Sequence, residues 1–365
     1  MKRYCTKCEM LTASFDSWCS CREANPGNLS VIFDYGESLG DIEIVRMLRV
    51  MKTGALYEAK RKVNNKDQMI LLKVAHNACA ELIKREAVLL AKLAQAGGHP
   101  MLPVISHPYQ GVEEKTRPYG KTVFGSETKY YIVYEHAKGD FLRDILIKNA
   151  QPWYQHAAWI TISLADVVAF IHYKGQQLLL NLSPDTVMVR YDKDNIPRPL
   201  LMDLSLAADP SSISIETLTE FAMPAYIAPE LLLNGRGGQF GAQTDVYNLG
   251  LLLYEMLAGR PAYIYRLRRP EDVLAEIRKN TPPMLNRTDL SGDINMIVHQ
   301  AIDKSPTRRF EDVRSFAKQL RVKFGEVPVE RKGRRIPRQI LAAGVALVLI
   351  LVSWTIFMAA LSAGA

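Results

Sequence analysis

The sequence predicts an α+β chain in two unequal halves, a sheet-rich first part and a larger helical second part. Short β-branched runs crowd the stretch after residue 41, and helical periodicity dominates beyond residue 137. A third feature stands apart from both halves: no charge interrupts residues 340–361.

Ile42, Ile44 and Val45 open the first expected strand of the main domain. Ala55-Leu56-Tyr57-Glu58-Ala59 and Met69-Ile70-Leu71-Leu72-Lys73-Val74 read as two more. Residues 80–93 then show helical spacing, with Leu82, Ile83, Val88, Leu89 and Leu90 as the apolar face. Residues 130–134 return to strand. Helices are expected over residues 159–172, 244–257, 270–278, 294–302 and 311–324, with a cleft between the halves near residues 135–139.

The chain has 365 residues, 48% hydrophobic and 23% charged, which fits a globular protein and excludes a disordered one. It shows no fixed-period repeat, which excludes a solenoid or propeller. A formal charge of +8 would suit a nucleic-acid binder, but its location argues otherwise. Arg331, Lys332, Arg334, Arg335 and Arg338 place five positive charges within eight residues, directly before the apolar run. A basic collar beside a membrane segment accounts for them, so no nucleic-acid partner is expected. The 22 residues of the run span about 33 Å as a helix, enough for a hydrocarbon core of ~30 Å. Lys and Arg flank only its N-terminal side, which predicts a single-pass cell-membrane protein with its body in the cytoplasm.

Four cysteines fall near the start, as Cys5-x2-Cys8, ten residues, then Cys19-x-Cys21. Two close pairs suggest four thiolates around one tetrahedral Zn²⁺, which would supply the folding energy of a segment too short for its own core. The pattern resembles a short zinc ribbon, except that one residue separates the second pair where two are usual. A redox-sensitive thiol cluster, or an arm without metal, is the alternative. In a cytoplasmic body these cysteines are expected as thiols. Cys79, alone in a helical stretch, reads as packing.

Several motifs follow in a fixed order: Ile70-Leu71-Leu72-Lys73; Arg85-Glu86-Ala87 thirteen residues on; His99-Pro100; Tyr131-Ile132-Val133-Tyr134-Glu135-His136; Leu201-Met202-Asp203-Leu204-Ser205; Pro224-Ala225-Tyr226-Ile227-Ala228-Pro229-Glu230; Thr244-Asp245-Val246-Tyr247; and Arg308-Arg309-Phe310. In that order they resemble the eukaryotic-like Ser/Thr protein kinases of bacteria, over residues 41–325. The resemblance implies a two-lobed protein-kinase fold, a β-rich N-lobe over residues 41–135 and a helical C-lobe over 136–325. Residues 1–28 form a Cys-rich arm, residues 326–338 a basic linker, and residues 339–361 a transmembrane helix. It also implies an ATP and Mg²⁺ set of Gly54, Lys73, Glu86, Glu135, Ala137 and Asp203. Tyr134 takes the gatekeeper position, Asp245 bonds the catalytic-loop backbone, and Arg309 pairs with Glu230. Leu90, Leu179 and Leu204 join an apolar column through both lobes.

The catalytic loop departs from the family. Leu179-Leu180-Asn181-Leu182-Ser183-Pro184-Asp185-Thr186 stands in place of H-R-D-L-K-P-E-N. Asn181 replaces the proton-accepting Asp, and an amide has no useful basicity. Ser183 replaces the phosphoryl-steadying Lys, and Thr186 replaces the Asn that holds a second Mg²⁺. Asp185 faces away from substrate in the family and is no substitute base. The phosphate loop, Leu48-Arg49-Val50-Met51-Lys52-Thr53-Gly54, keeps only the last of three glycines. Leu71 narrows the adenine slot where the family has Ala.

Acid–base help alone is worth roughly 10²–10⁴-fold. Each preorganised electrostatic group is worth a further ~3–4 kcal/mol. The expectation is therefore a catalytically impaired pseudokinase, a membrane-tethered scaffold or nucleotide-responsive module that engages protein partners. The competing expectation is an active or weakly active Ser/Thr kinase, kept alive by Lys73, Glu86 and Asp203.

Overall fold

Alternation along the central strands decides what faces the cleft. In strand Lys66–Ala75, Ile70, Leu72 and Val74 enter one apolar core while Leu71 and Ala75 enter another. Lys73 therefore points to the same side as Leu71. The computed structural model describes residues 2–13, 19, 29–110, 117–233 and 240–330.

Strands β1 (Lys2–Cys5), β2 (Leu11–Ala13) and β3 (Leu29–Ile32) make a small antiparallel sheet in the order β2-β1-β3. The second sheet uses β4 (Ser38–Leu39), β5 (Ile42–Val50), β6 (Gly54–Val63), β7 (Lys66–Ala75), β8 (Ile105–Ser106), β9 (Gly120–Phe124) and β10 (Glu127–Glu135). Its order is β4-β5-β6-β7-β10-β8, with β9 on β10. Register opposes Lys73 to Ile132 and Leu71 to Tyr134. Tyr4, Ile32 and Phe33 join the core on the sheet face away from the cleft, so the arm and the N-lobe share one core.

Helix α1 (Ala80–Gln95) lies on the other face and buries Leu82, Ile83, Glu86, Ala87, Leu89, Leu90 and Leu93. Val88 does not belong to that face. It is 54% exposed, because a 100° step per residue carries it opposite the stripe through residues 83, 86 and 90.

The helical lobe is built on α2 (Leu142–Lys148), α3 (Tyr154–Phe170), α4 (Ile215–Phe221), α5 (Ala242–Ala258), α6 (Pro270–Lys279), α7 (Gly292–Ala301) and α8 (Val313–Phe324). The segment Tyr154–Gly175 is long and apolar enough to cross a membrane, yet it packs against α5 and α8 and is largely buried. It is a core helix. The predicted membrane helix at residues 339–361 lies outside the described residues.

A hairpin of β12 (Val187–Tyr191) and β13 (Pro197–Leu201) was not legible in the pattern, since Pro197 and Pro199 interrupt it. Both prolines are tolerated because β13 is an edge strand in the order β11-β12-β13, where β11 is Asp140–Phe141.

Candidate active site

Three charged side chains meet in the cleft with almost no exposure. Lys73 Nζ lies 2.6 Å from Glu86 Oε2 and 2.8 Å from Asp203 Oδ1. Burial pushes the Glu86 carboxyl up to about 7, against the pull of Lys73. Burial also opposes the Asp203 carboxylate, but the Lys73 charge and hydrogen bonds outweigh it and its pKa is lowered. Glu86 Oε1 accepts from the Leu204 N–H at 3.1 Å. The structure thus brings together three residues that the family resemblance singled out.

Asp203 then finds more partners than a metal ligand can spare. Its Oδ1 accepts from Lys73 and from the Ser205 N–H at 3.0 Å. Its Oδ2 accepts from Asn181 Nδ2 at 3.1 Å and from Thr53 Oγ1 at 3.3 Å. A carboxylate offers about four lone-pair sites, and four donors occupy them.

The catalytic loop is held from below. Asp245 accepts from the Leu179 and Leu180 N–H groups at 2.7 and 2.8 Å, and His172 Nε2 lies 2.7 Å from it. Leu180 adopts a left-handed φ of 64°, a conformation a branched side chain resists. Thr186 Oγ1 accepts from the Ser183 N–H and lies within 3.2 Å of the Asn181 and Ser183 carbonyls, so its hydroxyl closes the loop on itself. Ser183 is buried beside it. Asp185 is held by Arg143 Nε at 3.1 Å and by Arg49 Nη1 at 3.4 Å.

The β5–β6 turn folds down onto this floor. Arg49, at the first missing glycine, pairs with Asp144 at 2.5 Å and with Asp185, and lies over the Phe141 ring. Met51, at the second, is buried in a core that runs without a break through both lobes. That core also takes in Leu56, Leu71, Leu90, Leu179 and Leu204. Gly54 is retained for packing: a Cβ there would sit 2.4 Å from the Val74 carbonyl oxygen. Neither Thr53 nor the latch at Arg49 was legible as a partner of the C-lobe, because each acts across 90 or more residues of chain.

Between the turn and the floor lies a cavity of about 110 Å³, lined by Tyr4, Glu9, Met51, Asn181, Asp203 and Phe221 among others. Ligand sites usually run to roughly 300–1,000 Å³. Asp203 spends its lone pairs inside the protein, and Leu56 and Leu71 are fully buried. Of the remaining predicted residues, Ala137 is half-buried at the lobe junction and the Glu135 side chain is exposed, with its N–H bonded to the Val104 carbonyl at 2.9 Å.

Cys5, Cys8 and Cys19 bring their sulfurs within 4.8 Å of one another, Cys8 and Cys19 at 3.2 Å. Tetrahedral zinc thiolates sit about 3.8 Å apart for Zn–S bonds of ~2.3 Å, so the donor set fits a thiophilic ion. Cys21 lies outside the described residues.

Residues 118–320 match the protein kinase domain family. The chain belongs to that family. Among similar proteins, serine/threonine-protein kinase PknB of Mycobacterium tuberculosis is 27% identical over 314 residues, 83% of this chain and 45% of that protein. PknB of Mycobacterium leprae is 29% identical over 204 residues, 54% of this chain and 31% of its own length. The chain spans less than half the length of these relatives. The crystal structure of the Mycobacterium tuberculosis PknI kinase domain shares the fold, with a TM-score of 0.53 at 21% identity over 80% of this chain and 99% of that one. The chain is similar to these bacterial Ser/Thr kinases, and its family's fold is one that uses ATP and Mg²⁺.

Proposed function

We propose that this kinase-fold protein is a pseudokinase, a signalling module that engages proteins through its surface and does not transfer phosphate. One contact carries the reading. Asn181, at the position of the catalytic base, donates its amide to Asp203 Oδ2, so the residue that should accept a proton instead consumes a metal-binding lone pair. Arg49 and Met51 support it in the same sense, since each stands at a missing glycine and also ties the turn to the rest of the fold, and Thr53 beside them bonds Asp203. Purified protein given labelled ATP and Mg²⁺ is expected to leave both itself and a general protein substrate unlabelled. Transfer of label that disappears in Lys73→Ala and Asp203→Ala would overturn the reading.

The assembled Lys73–Glu86–Asp203 trio favours a second reading, a weakly active kinase or a nucleotide sensor. A thermal-shift titration separates them: stabilisation by millimolar Mg-ATP speaks for the sensor, and its absence leaves the scaffold. On the same footing we read residues 340–361 as a membrane tether behind the basic collar, with the kinase-like body cytoplasmic. Cys5, Cys8 and Cys19 we read as a zinc site.

A further inference from the structure

We propose that the N-terminal sheet is a strap that holds the β5–β6 turn down over Asp203, and that a thiophilic metal ion on Cys5, Cys8 and Cys19 sets its grip. This rests on the zinc reading above and adds regulation of the same cleft.

The strap touches both movable walls of the cleft. Tyr4, 5% exposed, stacks on His76 with ring centroids 4.8 Å apart and planes at 21°. His76 in turn bonds the turn at two points, its Nε2 2.8 Å from the Met51 carbonyl and its N–H 3.1 Å from the Thr53 carbonyl. Glu9 pairs with Lys52 at the tip of the turn at 3.1 Å. Lys7 pairs with Glu220 on α4, between Asp203 and the Pro224–Glu230 motif, at 2.7 Å. Tyr4 and Glu9 also line the small cavity beside Asn181 and Asp203. The two ion pairs are partly exposed and weak alone. The buried stack is the firm contact, and it lies one residue from Cys5.

β1 pairs with β2 and β3, and backbone bonds from the Cys5 N–H to the Met10 carbonyl at 3.0 Å and from the Glu9 N–H to the Cys5 carbonyl at 2.9 Å close the hairpin that carries Cys8. The apolar company of Cys5 and Cys19 is Leu29, with Cys8 alongside. Cys8 follows Lys7 and precedes Glu9, so three sulfurs drawn to one ion fix the two charged residues that reach the cleft walls. An ion there orders the hairpin between β1 and β2, and the order passes through Tyr4 and Glu9 to the turn. Without the ion the hairpin loosens and the turn is released.

Hydrogen exchange on the full chain tests this, with zinc content measured in parallel. Four samples are compared: the zinc-loaded protein, the chelated protein, Cys5→Ser with Cys8→Ser, and Glu9→Gln with Tyr4→Ala. Amides of residues 50–54 and 215–221 should lose about tenfold or more of their protection in the last three samples, while those of α5 keep theirs. Unchanged protection at residues 50–54 in chelated protein and in Glu9→Gln with Tyr4→Ala would overturn the strap. Protein that never retains zinc at these cysteines would overturn its metal control. Should the double variants lose α5 protection as well, the chelated wild-type protein decides, since removing the ion changes no side chain. Phosphate transfer by the intact protein would sink the pseudokinase reading and leave this result standing.

Discussion

Asn181→Asp would return the missing carboxylate to the catalytic loop, and in this cleft its first effect should be on stability. The new oxygen would take the place of Nδ2, 3.1 Å from Asp203 Oδ2, with both residues buried. Two like charges at that distance repel by about 5 kcal/mol at an effective dielectric of ~20. Protonation caps the loss. Holding one carboxyl neutral at pH 7 takes about 4 kcal/mol, at ~1.4 kcal/mol for each pH unit above a pKa of ~3.9. The variant should therefore be some 3–4 kcal/mol less stable near neutrality, roughly a 5–15 °C fall in Tm. The sign follows from linkage: the shared proton raises a folded-state pKa, so the deficit is small near pH 4 and grows as pH rises to 7. Millimolar Mg²⁺ should recover much of it, since two close carboxylates offer a divalent ion what Asp203 alone does not. The assay is thermal unfolding by intrinsic fluorescence at about pH 5 and at neutral pH, with and without Mg²⁺. A neutral-pH Tm equal to wild type would refute the claim that Asn181 serves as a donor to Asp203.

Gly54→Ala should lower stability by about 1–3 kcal/mol, read from the urea midpoint, because its methyl would meet the Val74 carbonyl oxygen at 2.4 Å. Arg309→Met should cost about 3–5 kcal/mol by stranding buried Glu230, which it now grips at 2.8 and 2.7 Å, and Glu230→Gln added to it should recover part of the loss. His76 should shape the acid limb. Burial lowers its pKa from 6.5 to about 4, so its contribution is complete above pH 6.5 and is lost as pH falls towards 4. The loss is roughly 3 kcal/mol at ~1.4 kcal/mol per unit. Glu86, raised to about 7, acts oppositely over the same range, so the difference between wild type and His76→Gln isolates the histidine. Arg49→Ala should loosen the lobes without unfolding either, seen as faster exchange of the β5 and α2 amides with the α5 amides unchanged.

The order of motifs along the chain was enough to identify the two lobes and to bring Lys73, Glu86 and Asp203 to one point. Strand alternation, a local rule, fixes only that Lys73 shares the side of Leu71, and the family resemblance supplied the meeting with Glu86 and Asp203. The pairing of Arg309 with Glu230 and of Asp245 with the loop backbone was expected only through the family resemblance, since each joins residues far apart in the chain. Sequence also told which side chain stands at the base position, and an amide has no useful basicity in any environment. It could not tell what the replacements do instead. Whether Asn181 faces solvent or Asp203, whether Arg49 merely crowds a loop or bolts it to Asp144 and Asp185, and whether Tyr4 waves free or stacks on His76 are settled by distances between segments far apart in the chain. Donor and acceptor pairing in a buried cleft is decided by the last few tenths of an ångström, and only the packed fold sets those.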